Sequence, residues 1–187
     1  MSAAIITYST LLVSKFIIQL LFILNIISLY FYLRNVYYYL VRPAAYKIFT
    51  IESISSYGNF LIFFLISAAL YGFQSFLNIK VWPLMMALLA ITALIVYQMI
   101  WANKIDLSRG MIYILISCLV ILELSWSVSF LPLNHNIAGL IIAICYYMLT
   151  GLIRHYLLDK LDKEKIKSYL GFGMASLFII LFAAKWM

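Results

Sequence analysis

MIYILISCLVILELSWSVSFL, residues 111–131, is the stretch that decides the fold of this chain. It is about twenty residues long, which is enough for a helix to cross the hydrocarbon core of a bilayer. Its one charged residue, Glu123, falls close to its middle. A carboxyl group at that depth is energetically costly and usually faces a bundle interior, a partner or water. The stretch therefore predicts a membrane-spanning helix whose acidic side chain needs a polar neighbour.

The composition of the whole chain is that of a membrane protein. Hydrophobic residues make up 67% of it, charged residues make up 10%, and the mean hydropathy is +1.08; ordinary soluble domains carry about 25% charged residues. In lipid, backbone polar groups must pair internally, so only helices or closed barrels can span. The apolar runs are continuous and about twenty residues long, unlike the ~10-residue alternating segments of barrel strands. We therefore predict an all-α fold.

Six apolar runs predict a polytopic bundle of about six transmembrane helices that forms a single domain over residues 1–187. The predicted spans are about 11–33, 58–77, 81–101, 111–131, 137–153 and 169–185. The first span could begin as early as Ala3. The charged segment 154–170 has leucines at helical spacing, which predicts an amphipathic cytoplasmic helix or an extension of the fifth span.

Two pairs of small residues lie four positions apart within predicted spans. Ala68 and Gly72 are in the second span, and Gly139 and Ala143 are in the fifth. Small side chains at this spacing let the backbones of two helices approach closely. Both pairs are therefore candidate sites of helix packing.

The basic residues are concentrated in the odd-numbered connections between the spans. The first, third and fifth connections hold ten Lys and Arg, whereas the second and fourth, together with the C-terminus, hold two. Lys and Arg accumulate on the cytoplasmic side of membrane proteins, so both termini are predicted to lie outside. The bias fits a bacterial plasma membrane best. It also explains the net charge of +7 without nucleic acid, which we do not expect as a partner.

Glu123 and Lys15 are the main intramembrane polar candidates, followed by Asn25 and Ser127. In the predicted topology, Lys15 lies about 9 Å and Glu123 about 12 Å from the outer edge, at a rise of ~1.5 Å per residue. If the first and fourth spans adjoin, an ion pair would satisfy both charges. A protonated Glu123 hydrogen-bonded to Ser127 or Asn25 would also suffice. The alternative for Lys15 is snorkelling toward the headgroups.

Arg154, His155, Arg42 and Lys47 are the candidates for contacts with lipid headgroups. Arg42 and Lys47 lie in a tyrosine-rich connection, and tyrosine and basic side chains both suit the membrane–water boundary. Arg154 is next to His155, which shares a helix face with Asp159 four residues later if the helix continues. No nucleotide-binding or protease motif is present. We therefore expect no catalytic residue, no metal and no cofactor.

These features favour a non-enzymatic membrane subunit or scaffold that packs with other membrane proteins or with itself. One alternative is a small proton- or ion-coupled transporter using Glu123, with a water-accessible cavity that reaches this residue. A second alternative is a lipid-acting membrane enzyme, with a groove of convergent polar side chains at the cytoplasmic interface. Structural, ion-binding and substrate-contacting roles are all open to Glu123. Membrane lipids are expected partners in every case. A bundle without a water-filled cavity would favour the hypothesis of a membrane subunit.

Overall fold

The protein is all-helical in the part that the computed structural model describes. The described residues are 2–9, 50–103, 105–159 and 161–184, together with eight helical residues between positions 19 and 37. No β-strand occurs among these residues, so the all-α prediction is confirmed there. The helices are α1 (Ser2–Ser9), α2 (Thr50–Leu77), α3 (Val81–Ala102), α4 (Leu107–Ser129), α5 (His135–Leu157) and α6 (Lys163–Ala183).

Five of these helices, α2 to α6, are long and apolar enough to cross a membrane. They correspond to the predicted second to sixth spans. Most of the predicted first span, 11–33, lies outside the described residues. The length and composition of the five helices indicate an integral membrane protein.

The second predicted span begins earlier than its apolar run. α2 starts at Thr50 rather than at Gly58, and no proline interrupts the helix between these two positions. The polar first turns of α2 take part in packing. Ser55 and Asn59 are buried there, and the side-chain amide of Gln98 donates a hydrogen bond to the Ser55 hydroxyl at 3.1 Å.

Of the two alternatives predicted for residues 154–170, the separate amphipathic helix does not form, and the extension of the fifth span holds only for the first residues of the segment. α5 ends at Leu157, and Asp159 adopts a left-handed conformation with a φ of 53°, which a short polar side chain tolerates. Asp162 then caps α6, because its carboxylate accepts a hydrogen bond from the Lys163 amide at 2.7 Å. Most of the charged segment is therefore a turn and the start of the last helix, which reaches 21 residues.

The contact between α2 and α5 is the most extensive in the bundle. The ring of Phe63 stacks on Tyr146 with centroids 4.3 Å apart. Gly139 lies directly against the Ala68 backbone, where a Cβ on the glycine would come within 2.6 Å of the Ala68 Cα. The Ser67 hydroxyl donates to the Gly139 carbonyl at 3.1 Å. The predicted use of Ala68 and Gly139 in helix packing is confirmed.

The remaining helices surround this central pair. α5 also packs against α4 and α6, α3 packs against α4 and α2, and α1 packs against α2. Ile5 of α1 is fully buried, and the Tyr8 hydroxyl donates to the side-chain carbonyl of Asn136 at 2.8 Å. α6 is peripheral, and of its described residues only Gly173 is buried. The bundle is thus densest around α5.

The start of α4 is set by a side-chain cap. The Asp106 carboxylate accepts hydrogen bonds from the Ser108 hydroxyl at 2.6 Å and from its amide at 3.3 Å. These bonds, the hydroxyl first, hold the pKa of Asp106 below its usual value, and the charge of Arg109 adds to the effect. The cap satisfies amide groups that the first turn leaves unpaired, so α4 begins at Leu107.

Candidate functional site

The carboxyl group of Glu123 lies on the outside of the bundle. Its side chain is exposed, whereas Ile121 and Ser125 on either side are buried. Glu123 lies about 24 Å along α4 from Leu107 and about 9 Å before Ser129, at the rise of an α-helix. If α4 crosses a bilayer, this carboxyl group is therefore at hydrocarbon depth and faces away from the other described helices.

Glu123 is the acidic member of an exposed stripe along α4. The α4 stripe consists of Ile116, Leu119, Glu123, Trp126 and Phe130, all of them exposed. Successive members are three or four residues apart, which is the spacing of a helix face that packs on another helix. Lipid tails can cover the four apolar members. They offer nothing to a carboxyl group, so Glu123 is the one member of the stripe that lipid does not satisfy.

The other intramembrane candidates do not reach this carboxyl group in the described part of the chain. The Ser127 hydroxyl donates to the backbone carbonyl of Glu123 at 2.9 Å, and not to its side chain. Lys15 and Asn25 lie outside the described residues, so a Lys15–Glu123 pair stays a prediction.

The inward side of α4 has its own polar contact. The Tyr71 hydroxyl of α2 donates to the Ser125 carbonyl at 2.9 Å, and the Ser125 hydroxyl donates to the Ile121 carbonyl at 2.6 Å. A cavity of about 20 Å³ beside them has room for about one water. Glu123 does not line it. This cavity is therefore not the route to Glu123 that a transporter would need.

An open groove of about 650 Å³ lies where α4 begins and α5 ends. We call it the interfacial groove, and its lining residues are Ser108, Arg109, Ile112, Tyr113, Tyr156, Leu157, Asp159 and Leu161. The rings of Tyr113 and Tyr156 lie 5.7 Å apart and are tilted by 49°. Arg109 and Asp159 bring opposite charges to the same opening, and within the described part of the chain they form no ion pair with each other. A groove of convergent polar side chains is what the alternative of a lipid-acting enzyme predicted, and that activity stays untested.

Arg154 and His155 lie outside the interfacial groove. Arg154 lines a separate cavity of about 20 Å³ together with Asn59. His155 faces α6, where the Tyr169 hydroxyl lies 3.4 Å from its Nε2 atom. The predicted helix face shared by His155 and Asp159 does not form, because α5 ends before Asp159. The role of Arg154 and His155 in headgroup binding stays a prediction, and Arg42 and Lys47 lie outside the described residues.

Sequence reasoning did not bring the groove residues together. Tyr113 and Tyr156 belong to different helices, and each by itself is an ordinary tyrosine near a membrane boundary. The sequence feature that could have indicated this proximity is the short turn between α4 and α5. It makes the two helices antiparallel neighbours and puts the start of one beside the end of the other. Among the described residues, no group of three or more His, Cys, Asp or Glu side chains is placed to hold a metal ion.

The chain was compared with curated proteins, solved structures and protein families. No curated protein and no solved structure matches the chain. A family model described as "Protein of unknown function (DUF5656)" matches residues 5–183. This range runs from α1 to the end of α6 and includes both the α4 stripe and the interfacial groove. The chain therefore belongs to the DUF5656 family of proteins of unknown function.

Proposed function

We propose that this protein is a non-enzymatic integral membrane subunit that assembles with a second copy of itself through the α4 stripe. The observation that carries the proposal is the exposed carboxyl group of Glu123 at hydrocarbon depth. Acyl chains cannot hydrogen-bond to a carboxyl group, whereas a neighbouring protein helix can. Lipid suffices for the rest of the stripe, and no described side chain hydrogen-bonds to the Glu123 carboxyl group, so we assign its partner to a second protein copy.

A second copy meets this need by symmetry. In a two-fold dimer with its axis along the membrane normal, equivalent residues lie at the same depth, and the two Glu123 carboxyl groups meet. Two carboxyl groups that share a proton hydrogen-bond to each other, which removes both from lipid. A single polar residue in an otherwise apolar helix seam also specifies register and oligomeric state. The spacing of the α4 stripe suits such a seam.

The described interior supports a subunit better than a carrier. Phe63, Ile100, Ile121 and Ile142 are all fully buried in one continuous core. Two small pockets among the described residues have room for about one water each, a larger apolar pocket lies between α1, α2 and α3, and Glu123 lines none of the three. An ion or proton carrier needs a water-filled path to its binding group. A dense interior with an outward-facing carboxyl group is the reverse of that arrangement.

We further propose a bacterial plasma membrane as the location, with both termini outside and with membrane lipids as the surrounding partners. The starts of α4 and α6 and the end of α5 lie at the same end of the bundle. That end carries Arg109, Arg154, Lys163, Lys165 and Lys167, whereas the connection between α2 and α3 at the opposite end carries Lys80. The positive-inside rule supports a cytoplasmic position for the basic end, and hence for the interfacial groove.

Cysteine cross-linking in native membranes tests the dimer. Leu119→Cys places a thiol in the α4 stripe, and Leu94→Cys places one on α3 as a matched control, since the two side chains are 61% and 67% exposed. The native Cys118 and Cys145 are replaced by Ser in both. We expect oxidation to produce disulfide-linked dimers from Leu119→Cys only. Equal yields from the two variants would overturn the proposal.

Substitution of Glu123 tests whether its carboxyl group holds the dimer together. A polar contact between helices in a membrane contributes about 1–2 kcal/mol, so Glu123→Leu should weaken association by roughly 5- to 30-fold. Glu123→Gln keeps hydrogen-bonding groups and should therefore weaken association less than Glu123→Leu does. Association is measured by energy transfer between labelled copies in liposomes. Unchanged association of Glu123→Leu would contradict the proposal.

A further inference from the structure

We propose that the interfacial groove binds the headgroup of a zwitterionic membrane phospholipid, with the phosphate against Arg109 and the ammonium group against Asp159. No member of the α4 stripe lines the groove. This inference is therefore independent of the proposed dimer.

The charges of the groove are the first argument. Arg109 comes from the first turn of α4, and Asp159 comes from the turn after α5. Both side chains are exposed, and within the described residues they line one opening without forming an ion pair with each other. A guanidinium group binds phosphate through parallel hydrogen bonds, and a carboxylate binds an ammonium group. A ligand that carries both charges satisfies both residues, whereas a purely anionic one is repelled by Asp159.

The two tyrosines are the second argument. Tyr113 and Tyr156 form one wall of the groove, with their ring centroids 5.7 Å apart. The face of a tyrosine ring attracts an ammonium cation, and its hydroxyl can donate a hydrogen bond to a phosphate oxygen. Both groups of a zwitterionic headgroup therefore have additional partners in this wall.

The shape and position of the groove favour a lipid over a soluble compound of the same charge. Ile112, Leu157 and Leu161 supply an apolar part of the lining, which suits the glycerol and first acyl carbons. The volume of about 650 Å³ falls within the usual range for small-molecule sites. The groove also lies at the ends of two helices that are long enough to cross a membrane. A phospholipid in the bilayer places its headgroup at this level.

Native mass spectrometry of the delipidated full-length protein tests the proposal. The probes are dihexanoyl phosphatidylethanolamine, dihexanoyl phosphatidylglycerol and inorganic phosphate. One charge-assisted contact contributes about 1.5–3 kcal/mol, so the unmodified protein should bind the ethanolamine lipid at least about tenfold more tightly than the glycerol lipid. Phosphate alone should not displace the bound lipid at equal concentration.

Substitutions in the groove separate the two charges. Asp159→Asn should abolish the preference for the ethanolamine lipid, and Arg109→Gln should weaken binding of both lipids by about tenfold or more. Arg109→Lys keeps the charge and should retain binding. The controls Glu164→Gln and Arg154→Gln alter charges at the same end of the bundle, outside the groove lining. They should leave the binding of both lipids unchanged.

Three results would overturn the proposal. They are equal binding of the two lipids by the unmodified protein, an ethanolamine preference that survives Asp159→Asn, and displacement of lipid by phosphate alone. Arg109, Asp159 and Glu164 are exposed and Arg154 is half-buried, so a circular dichroism spectrum equal to that of the unmodified protein should accompany every variant.

Discussion

Between α2 and α5, small residues allow two backbones to touch, whereas the outward face of α4 presents large side chains and a carboxyl group to its surroundings. At the first surface, Gly139 lies against Ala68, and the Ser67 hydroxyl donates to the Gly139 carbonyl. At the second, Leu119 and Glu123 are exposed. Both surfaces belong to helices that are long and apolar enough to span a membrane.

The difference shows that the apolar character of a helix surface does not reveal whether that surface packs within the chain or against another molecule. In a membrane, lipid covers large apolar side chains as well as protein does, so helices associate through close packing and polar contacts. The α2–α5 contact has both within one chain. The α4 stripe has a polar group with no side-chain donor among the described residues, and we propose that a second copy completes it.

Phe63→Ala should cause the largest loss of stability, because it opens a cavity at the α2–α5 contact. Phe63 is fully buried and stacks on Tyr146, and removal of a buried aromatic side chain costs about 3–5 kcal/mol. The free energy of unfolding is measured by titration with denaturing detergent in micelles. Phe178→Ala is the control, since that ring is 72% exposed. Similar losses in the two variants would contradict the assignment of the α2–α5 contact as the core.

Gly139→Ala should cause the next largest loss. The added methyl group would lie 2.6 Å from the Ala68 backbone, so the two helices must separate, at a cost of about 1–3 kcal/mol. The same detergent titration measures it. At Gly171, a Cβ would meet nothing within 4 Å, and Gly171→Ala should be neutral or stabilising. A neutral Gly139→Ala would mean that the contact between α2 and α5 is looser than described.

Leu119→Ala should change the unfolding free energy of the monomer by no more than about 0.5 kcal/mol, as surface substitutions usually do. Leu119 is 61% exposed and belongs to the α4 stripe, so its effect should be on association. Unfolding in dilute micelles and energy transfer in liposomes separate these two quantities. A large loss in the monomer, with association unchanged, would place the α4 stripe inside the fold.

The smallest of these effects should be a loss of helix stability at the start of α4 in acid. Because the folded-state pKa of Asp106 lies below its ordinary value of 3.8, its contribution to stability is present above pH 3.8 and is lost as the pH falls through the lower folded value. Asp106→Asn keeps a capping side chain and should remove this dependence. The check is amide hydrogen exchange at the start of α4 between pH 5 and pH 2. Equal pH dependence in both proteins would show that Asp106 is not responsible.

The number and order of the described spanning helices followed from the apolar runs, because a chain in lipid must pair its backbone groups internally. The ends of the helices did not follow from hydropathy. α2 begins at Thr50, before its apolar run, and α6 begins at Lys163, where the side chain of Asp162 caps it. The interfacial groove could not be predicted from the sequence, because Arg109 and Asp159 come together only when α4 and α5 pack side by side.

By itself, the sequence indicated an all-helical membrane protein and predicted that Glu123 lies at hydrocarbon depth, because both depend on the length and composition of apolar runs. Only the tertiary structure decided which way Glu123 faces. Apolar residues occur on every side of α4, so its pattern does not identify the buried face. The rotation of the helix is set by the neighbours that cover Gly110, Cys118 and Ile121, and this rotation directs the carboxyl group outward.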